Sequence, residues 1–129
     1  MTGWICNMCL AAKHDGPCNE AKLSQIISRA NEALGLDEAF EQAVADKFDE
    51  CLAMLLSKHK DYGPKNISQS PGGALNGLRV RMHDKLARIN HLLDSGKPPQ
   101  NEALVDSFLD LANYAVIGML VLNGQWPNE

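Results

Sequence analysis

Residues 102–123 read EALVDSFLDLANYAVIGMLVLN, and this stretch decides the fold class. At about 100° per residue, one face collects its apolar side chains: Leu104, Phe108, Leu111, Ala115, Met119 and Leu122. The opposite stripe carries Asp106, Asp110 and Asn113 and continues into Ile117. A period of 3.6 residues over the whole stretch predicts an amphipathic helix that buries its apolar face.

Outward from this stretch, the same periodicity predicts three earlier helices, over about residues 20–34, 38–60 and 75–94. Asp37 is the predicted N-cap of the second. The predicted breaks between the helices are Gly35, residues 61–73 and residues 95–99, because glycine and proline interrupt helices there. No strand pattern rich in Val or Ile occurs. We therefore predict an all-α fold, a small four-helix bundle over residues 20–129.

Composition limits the classes of protein to which the chain belongs. Its 129 residues, 45% of them hydrophobic, suit one domain with a core. A net charge of -4 argues against a protein that coats nucleic acid. No stretch reaches about 20 apolar residues, and the first ten residues lack a secretory signal. We expect a cytoplasmic protein without a membrane partner.

The first nineteen residues carry a separate pattern, C-x2-C-x4-H-x3-C, formed by Cys6, Cys9, His14 and Cys18. Three thiolates and one imidazole are a ligand set that zinc favours, so we expect a structural zinc in residues 1–19. The alternatives are a disulfide or unrelated thiols. The segment is similar to the zinc knuckle of nucleic-acid-binding proteins, but is one residue shorter before its last cysteine. Cys51 stands apart and is expected as a small buried hydrophobe.

Carboxylates on the last two helices are candidates for a cation site. Asp106 and Asp110 lie one turn apart and repel each other unless they share a cation, and Mg²⁺ takes such oxygen ligands. On the preceding helix, Asp84 is placed to join that metal site, and Lys85 and Arg88 to meet phosphate. The alternatives are a solvated acidic face near a helix N-terminus and a local pair of Asp84 with Arg88.

Three runs carry a resemblance to a known family. They are KHKDYG at residues 58–63, RMHDKLARI at residues 81–89 and DSFLDLANYA at residues 106–115. Together they resemble the phage and bacterial nucleotide-modification-associated domain family, with the pattern K-x-x-D-Y-G, K-L-x-R-I and D-x-x-x-D-L-x-N-Y-A. The resemblance covers residues 40–122, which is most of the chain.

More distantly, the arrangement is similar to the all-α nucleoside triphosphate pyrophosphatases, the MazG-like and dimeric dUTPase-like enzymes. This similarity implies Mg²⁺ held by catalytic carboxylates and a homo-oligomer, a dimer or tetramer. It maps the second acidic motif of these enzymes, which holds the metal, onto Asp106 and Asp110, and Asp84 is the further candidate ligand. The residues that it implies for the substrate are Lys60, Asp61, Tyr62, Lys85, Arg88 and Asn113.

One part of the pyrophosphatase pattern is displaced. The literal copy of its first acidic motif, E-x-x-E, is Glu38 to Glu41, which opens the second helix far from the K-x-x-D-Y-G run. Asp84 is the better-placed substitute, and Asp49 and Glu50 are further candidates.

The functional expectation is a Mg²⁺-dependent pyrophosphohydrolase that converts a (deoxy)nucleoside triphosphate to the monophosphate and pyrophosphate. Two alternatives stay open. One is a non-catalytic nucleotide-binding or accessory protein of a base-modification pathway, and the other is a zinc-knuckle-like interaction module.

Overall fold

The structure is a computed structural model that describes residues 20–35 and 37–129. Its helices are α1 (Glu20–Leu34), α2 (Glu38–Tyr62), α3 (Lys65–Ser68), α4 (Ala74–Ser95) and α5 (Leu104–Leu122), and these ranges contain no strand. The all-α prediction with four long helices is therefore confirmed for the described ranges. The predicted zinc ligands Cys6, Cys9, His14 and Cys18 lie outside them.

Local chemistry sets the helix ends. Asp37 Oδ1 accepts a hydrogen bond from the backbone N–H of Phe40 at 2.7 Å, which confirms Asp37 as the N-cap of α2. Gly96 ends α4 in the left-handed conformation, with φ 65°. Glycine adopts this conformation without the steric cost that a Cβ brings, so a break at this position was predictable.

The short helix α3 was not predicted, since residues 61–73 were expected as a loop. It buries Ile67, which is 2% exposed, in the core. The turn after it brings Ser70 against the first turn of α4 at Gly77. A Cβ at Gly77 would lie 2.3 Å from Ser70 Oγ, so only glycine fits this approach.

The chain divides into two compact units, Met1–Lys47 and Phe48–Glu129, with the boundary inside α2. In the second unit, α4 packs along α5 and α3 packs against α4. Its buried apolar cluster is small and consists of Ile67, Leu78 and Ile117. Half-buried side chains around it include Tyr114 and Trp126.

The burial of α5 is the reverse of the prediction. The face expected in the core is largely exposed, with Phe108 at 51%, Met119 at 62% and Leu122 at 74%. The residues buried instead are Ser107, Asp110, Asn113 and Ile117. Polar groups are buried where partners satisfy their hydrogen bonds, and hydropathy along one helix does not reveal those partners.

On α4 and α2, burial does not follow the whole apolar pattern of the sequence. On α4, Leu78 and Ile89 are buried, whereas Leu86 and Leu93, which belong to the same helical pattern, are exposed. On α2, Phe48 belongs to the apolar pattern and is 69% exposed. Cys51 is half-buried and carries a free thiol. On each of these helices, fewer apolar residues are buried than the periodicity of the sequence predicts.

By length and composition alone, α5 is the one helix in the described part of the chain that meets the criteria for a membrane span. The core helices of soluble proteins meet the same criteria. Only 22% of the α5 window is buried within the chain. Most of the α5 surface is therefore not buried by the other residues that the structure describes.

Candidate functional site

The centre of the candidate site is one carboxylate held by two ammonium groups. Asp110 on α5 is 8% exposed. Its Oδ1 lies 2.7 Å from Lys58 Nζ on α2, and its Oδ2 lies 2.8 Å from Lys85 Nζ on α4. We call these three residues the lysine clamp. It joins three helices through two charge-assisted hydrogen bonds.

The clamp shifts the pKa values of all three groups toward their charged forms. Burial acts to raise the pKa of Asp110, but the hydrogen bonds and charges of Lys58 and Lys85 outweigh it and lower that pKa. The hydrogen bond from Asp110 raises the pKa of Lys58 and of Lys85, against the opposing effect of burial. The three side chains together carry a net charge of one positive unit.

Next to the clamp, Arg88 ties α4 to the start of α5. Its guanidinium donates to Ser107 Oγ and to the backbone carbonyl oxygens of Glu102 and Ala103. Ser107 is fully buried. Arg88 was predicted to bind phosphate, and the structure places its guanidinium on these protein groups.

A cavity of about 340 Å³ opens on one side of the clamp. Lys58 and Asp110 reach it from the clamp, and four rings line it: His59, Tyr62, Tyr114 and Trp126. Its remaining lining residues are Leu55, Gly63, Asn66, Ile67, Arg81, Asn113 and Ile117. We call it the ring cavity. Its size and its mixture of apolar walls with a few polar groups are typical of small-molecule sites.

The polar residues of the ring cavity are held in place by the backbone. Arg81 donates from Nη1 to Ser70 Oγ at 3.1 Å and from Nη2 to the Asn66 carbonyl at 2.9 Å. Asn113 donates from Nδ2 to the Cys51 carbonyl at 3.0 Å, which orients its amide. These side chains are therefore positioned by the fold alone.

A second cavity, of about 230 Å³, also borders the clamp. It is lined by Met54, Lys58, Glu102, Asp106, Leu109 and Asp110. We call it the acidic cavity. Lys58 and Asp110 border both cavities. Lys85 Nζ lies 3.8 Å from Glu102 Oε2, so the clamp also reaches toward this carboxylate.

The structure brings only some of the predicted residues together. Asp110 and Lys85 meet in the clamp. Tyr62 and Asn113 line the ring cavity, and Asp106 lines the acidic cavity.

The other predicted residues lie apart from both cavities. Asp84, Lys60 and Asp61 are exposed and line neither of them. Among residues 20–35 and 37–129, no group of three or more His, Cys, Asp or Glu side chains is placed to hold a metal ion. The predicted trio Asp84, Asp106 and Asp110 thus does not form such a group in the structure.

Helical register is the signal that sequence reasoning missed at this site. On α2, residues 51, 55, 58 and 62 share one stripe at spacings of three and four, which includes Lys58 and excludes Lys60. On α4, Arg81 and Lys85 follow Leu78 along the inward stripe in the same way. Trp126 carried no local signal, because it reaches the site only through the turn after α5.

No protein-family model, no curated protein and no solved structure matches the chain. The resemblance to the nucleotide-modification-associated domain therefore depends on the three sequence runs. All three contribute residues to the lysine clamp: Lys58, Lys85 and Asp110.

Proposed function

We propose that the chain binds a (deoxy)nucleoside triphosphate at the lysine clamp and hydrolyses it to the monophosphate and pyrophosphate with Mg²⁺. The observation that carries this proposal is that two cavities of different chemistry share Lys58 and Asp110 of the clamp. A nucleotide has an aromatic end and an anionic end that binds metal. The ring cavity suits the first end and the acidic cavity suits the second.

The two lysines suit the negative charge of the phosphates. Lys58 is 47% exposed at the side chain and lines both cavities, so it is accessible to a ligand while Asp110 orients it. Lys85, which is 22% exposed, lines neither cavity and holds the second oxygen of Asp110. An ammonium that is already positioned loses less conformational entropy on binding an anion. Asp110 acts in this proposal by holding the lysines rather than by touching the metal.

The acidic cavity is lined by carboxylates, which are the side chains that bind Mg²⁺. Mg²⁺ is commonly bound by one or two carboxylates together with waters and substrate phosphates. Glu102 and Asp106 supply such carboxylates, whereas Asp110 is committed to its lysines. The bound ion would neutralise the triphosphate and polarise its α–β linkage. Water would attack the α-phosphorus and lose a proton to the solvent, the bond between that phosphorus and the oxygen bridging to the β-phosphorus would break, and pyrophosphate would leave.

The experiment that tests this proposal is a panel of ribo- and deoxynucleoside triphosphates with Mg²⁺, scored for pyrophosphate release. Release from at least one nucleotide, lost in Lys58→Ala and Lys85→Ala but kept in Lys60→Ala, is the expected result. Lys60 is the matched control because it is exposed on the same helix as Lys58, lies outside the clamp and lines neither cavity. A panel in which nothing is hydrolysed and nothing binds would overturn the proposal.

A second candidate function is nucleotide binding without catalysis, as an accessory protein of a base-modification pathway. The observation that favours it is the lack of a three-ligand metal group in the described part of the chain. Calorimetry, which measures binding of the triphosphate, and the assay of pyrophosphate release together separate the two functions. Binding of a triphosphate without pyrophosphate release, at any Mg²⁺ concentration, would assign the accessory role.

We also propose that copies of the chain assemble with each other, as the family resemblance implies. The support is the exposed apolar face of α5, where Val105, Phe108, Met119 and Leu122 are each more than half exposed. Exposed apolar area of this kind marks interaction surfaces in proteins. Sedimentation of the parent chain at micromolar concentration tests this assembly.

Finally, we propose a structural zinc at Cys6, Cys9, His14 and Cys18, which the ligand types and their spacing support. Metal analysis of protein purified without chelators should find one zinc per chain. Cys9→Ser should lower that content, whereas Cys51→Ser, at a cysteine outside the motif, should not. Only traces of zinc in the parent chain would contradict the site.

A further inference from the structure

The turn after α5 positions Trp126 as part of the site. Backbone hydrogen bonds from Gly124 to Val121 and from Gln125 to Leu120 reverse the chain, and Gly124 adopts a φ of 69°. Trp126 is thereby returned to the loop between α2 and α3. Its Nε1–H donates to the Pro64 carbonyl at 3.1 Å. The C-terminal segment is thus fastened to the rim of the ring cavity.

A second contact fixes the plane of the indole. The rings of Trp126 and His59 meet edge to face, with centroids 5.0 Å apart and planes at 75°. Both rings line the ring cavity. A ring fixed by a hydrogen bond and by an aromatic neighbour is preorganised to receive a planar ligand.

We propose that the ring cavity receives the base of the nucleotide and that Trp126 is the wall against which the base stacks. This inference rests on the proposed function and extends it to the recognition of the base. Phosphate groups do not stack on aromatic rings, whereas nucleotide bases stack on aromatic side chains through their π faces. Asn113 and Arg81, both held by the backbone, are the polar groups that the edge of the base meets in the cavity.

The first test uses Trp126 as its own reporter. The chain has two tryptophans, so Trp4→Phe leaves Trp126 as the single one. The probes are α,β-imido analogues of the four common deoxynucleoside triphosphates, which resist cleavage, and inorganic triphosphate, all with Mg²⁺. At least one nucleotide analogue should change the fluorescence of Trp126, and inorganic triphosphate should leave it unchanged.

The second test measures affinity by calorimetry. Trp126→Ala should weaken binding of the nucleotide analogue about 5- to 100-fold, since stacking on an aromatic ring contributes on this scale. Binding of inorganic triphosphate should change by less than about twofold in the same variant. Trp126→Phe keeps a ring but loses the hydrogen bond to Pro64, so it should retain most of the affinity.

The outcomes separate this inference from the proposed function. If the analogue binds the parent chain and binds Trp126→Ala equally tightly, the base lies elsewhere, and the proposed function survives. If the analogue and inorganic triphosphate bind the parent chain equally tightly, no base is recognised. If no analogue binds at all, both proposals fail. Should Trp126→Ala unfold, the fluorescence of the Trp4→Phe chain decides the question.

Discussion

The two faces of α5 differ in a way that their composition does not predict. One face carries Ser107, Asp110, Asn113 and Ile117 and is buried; the other carries Val105, Phe108, Met119 and Leu122 and is exposed. Every polar group on the buried face has a partner: Arg88 for Ser107, two lysines for Asp110 and the Cys51 carbonyl for Asn113. Burial within one chain therefore follows the available partners rather than hydropathy alone.

The largest difference between the faces should appear in Ile117→Ala. Ile117 is 8% exposed and packs with Ile67 and Leu78, so its truncation leaves a cavity and should lower the free energy of unfolding by about 2–4 kcal/mol. Met119→Ala, at a residue 62% exposed on the other face, is the matched control. In dilute protein it should cost less than about 0.5 kcal/mol. Urea unfolding measures both, and equal losses would contradict the assignment of the faces.

The next largest effect should come from the polar part of the buried face. Asp110→Asn keeps the shape of the side chain but removes the charge that holds two lysines, so it should cost about 1–3 kcal/mol, reduced by the exposure of Lys58. Asp106→Asn, one turn away on the same helix and exposed, should stay within about 0.5 kcal/mol. Stability that rises in Asp110→Asn would show that repulsion from Asp106 outweighs the clamp.

The clamp also predicts a dependence on pH. Because the pKa of Asp110 is lowered from 3.8, its contribution to stability is complete above that value and is lost as the pH falls toward the folded-state pKa. Because the pKa values of Lys58 and Lys85 are raised from 10.5, their contribution is complete below that value and is lost as the pH rises through their folded-state pKa values. Unfolding measured from pH 2 to pH 5 should therefore show an acid limb that is shallower in Asp110→Asn. An unchanged limb would argue against the clamp.

The smallest effect on the single chain, and the one that tests assembly, should come from Met119→Gln. It should change the free energy of unfolding of dilute protein by less than about 0.5 kcal/mol while weakening self-association in sedimentation. Lys97→Gln, in the exposed segment after α4, is the control and should leave association unchanged. A parent chain that stays monomeric at micromolar concentration would contradict assembly. If that monomeric chain floats with lipid vesicles, the exposed face of α5 is assigned to membrane binding instead.

Features encoded locally were predictable. The cap at Asp37, the stop at Gly35 and the break at Gly96 each depend on a few neighbouring residues, and the structure places helix ends there. The four residues of α3 were not predictable from periodicity, because one turn is too short to show a period. The inward faces were predicted only in part, because apolar residues on α2, α4 and α5 extend beyond the stripes that are buried.

The site was predictable to the extent that its residues lie in the three sequence runs. Asp110 and Lys85 were expected, but the contact between them was not, since the spacing of carboxylates indicated a shared metal ion rather than two ammonium groups. The sequence prediction named Lys60, whereas the residue that contacts α5 is Lys58, which about 200° of helical rotation separates from Lys60. Trp126 required the whole fold, because its partners His59 and Pro64 are distant in sequence.

The sharing of Lys58 and Asp110 by both cavities has a thermodynamic consequence. An occupant of the ring cavity that moves either side chain changes the free energy with which the acidic cavity binds its own occupant. Linkage requires this coupling to be reciprocal, so the factor by which a nucleoside alters the affinity for pyrophosphate equals the factor by which pyrophosphate alters the affinity for the nucleoside. If both cavities bind the ligands proposed for them, one salt-bridged carboxylate would couple the two binding events.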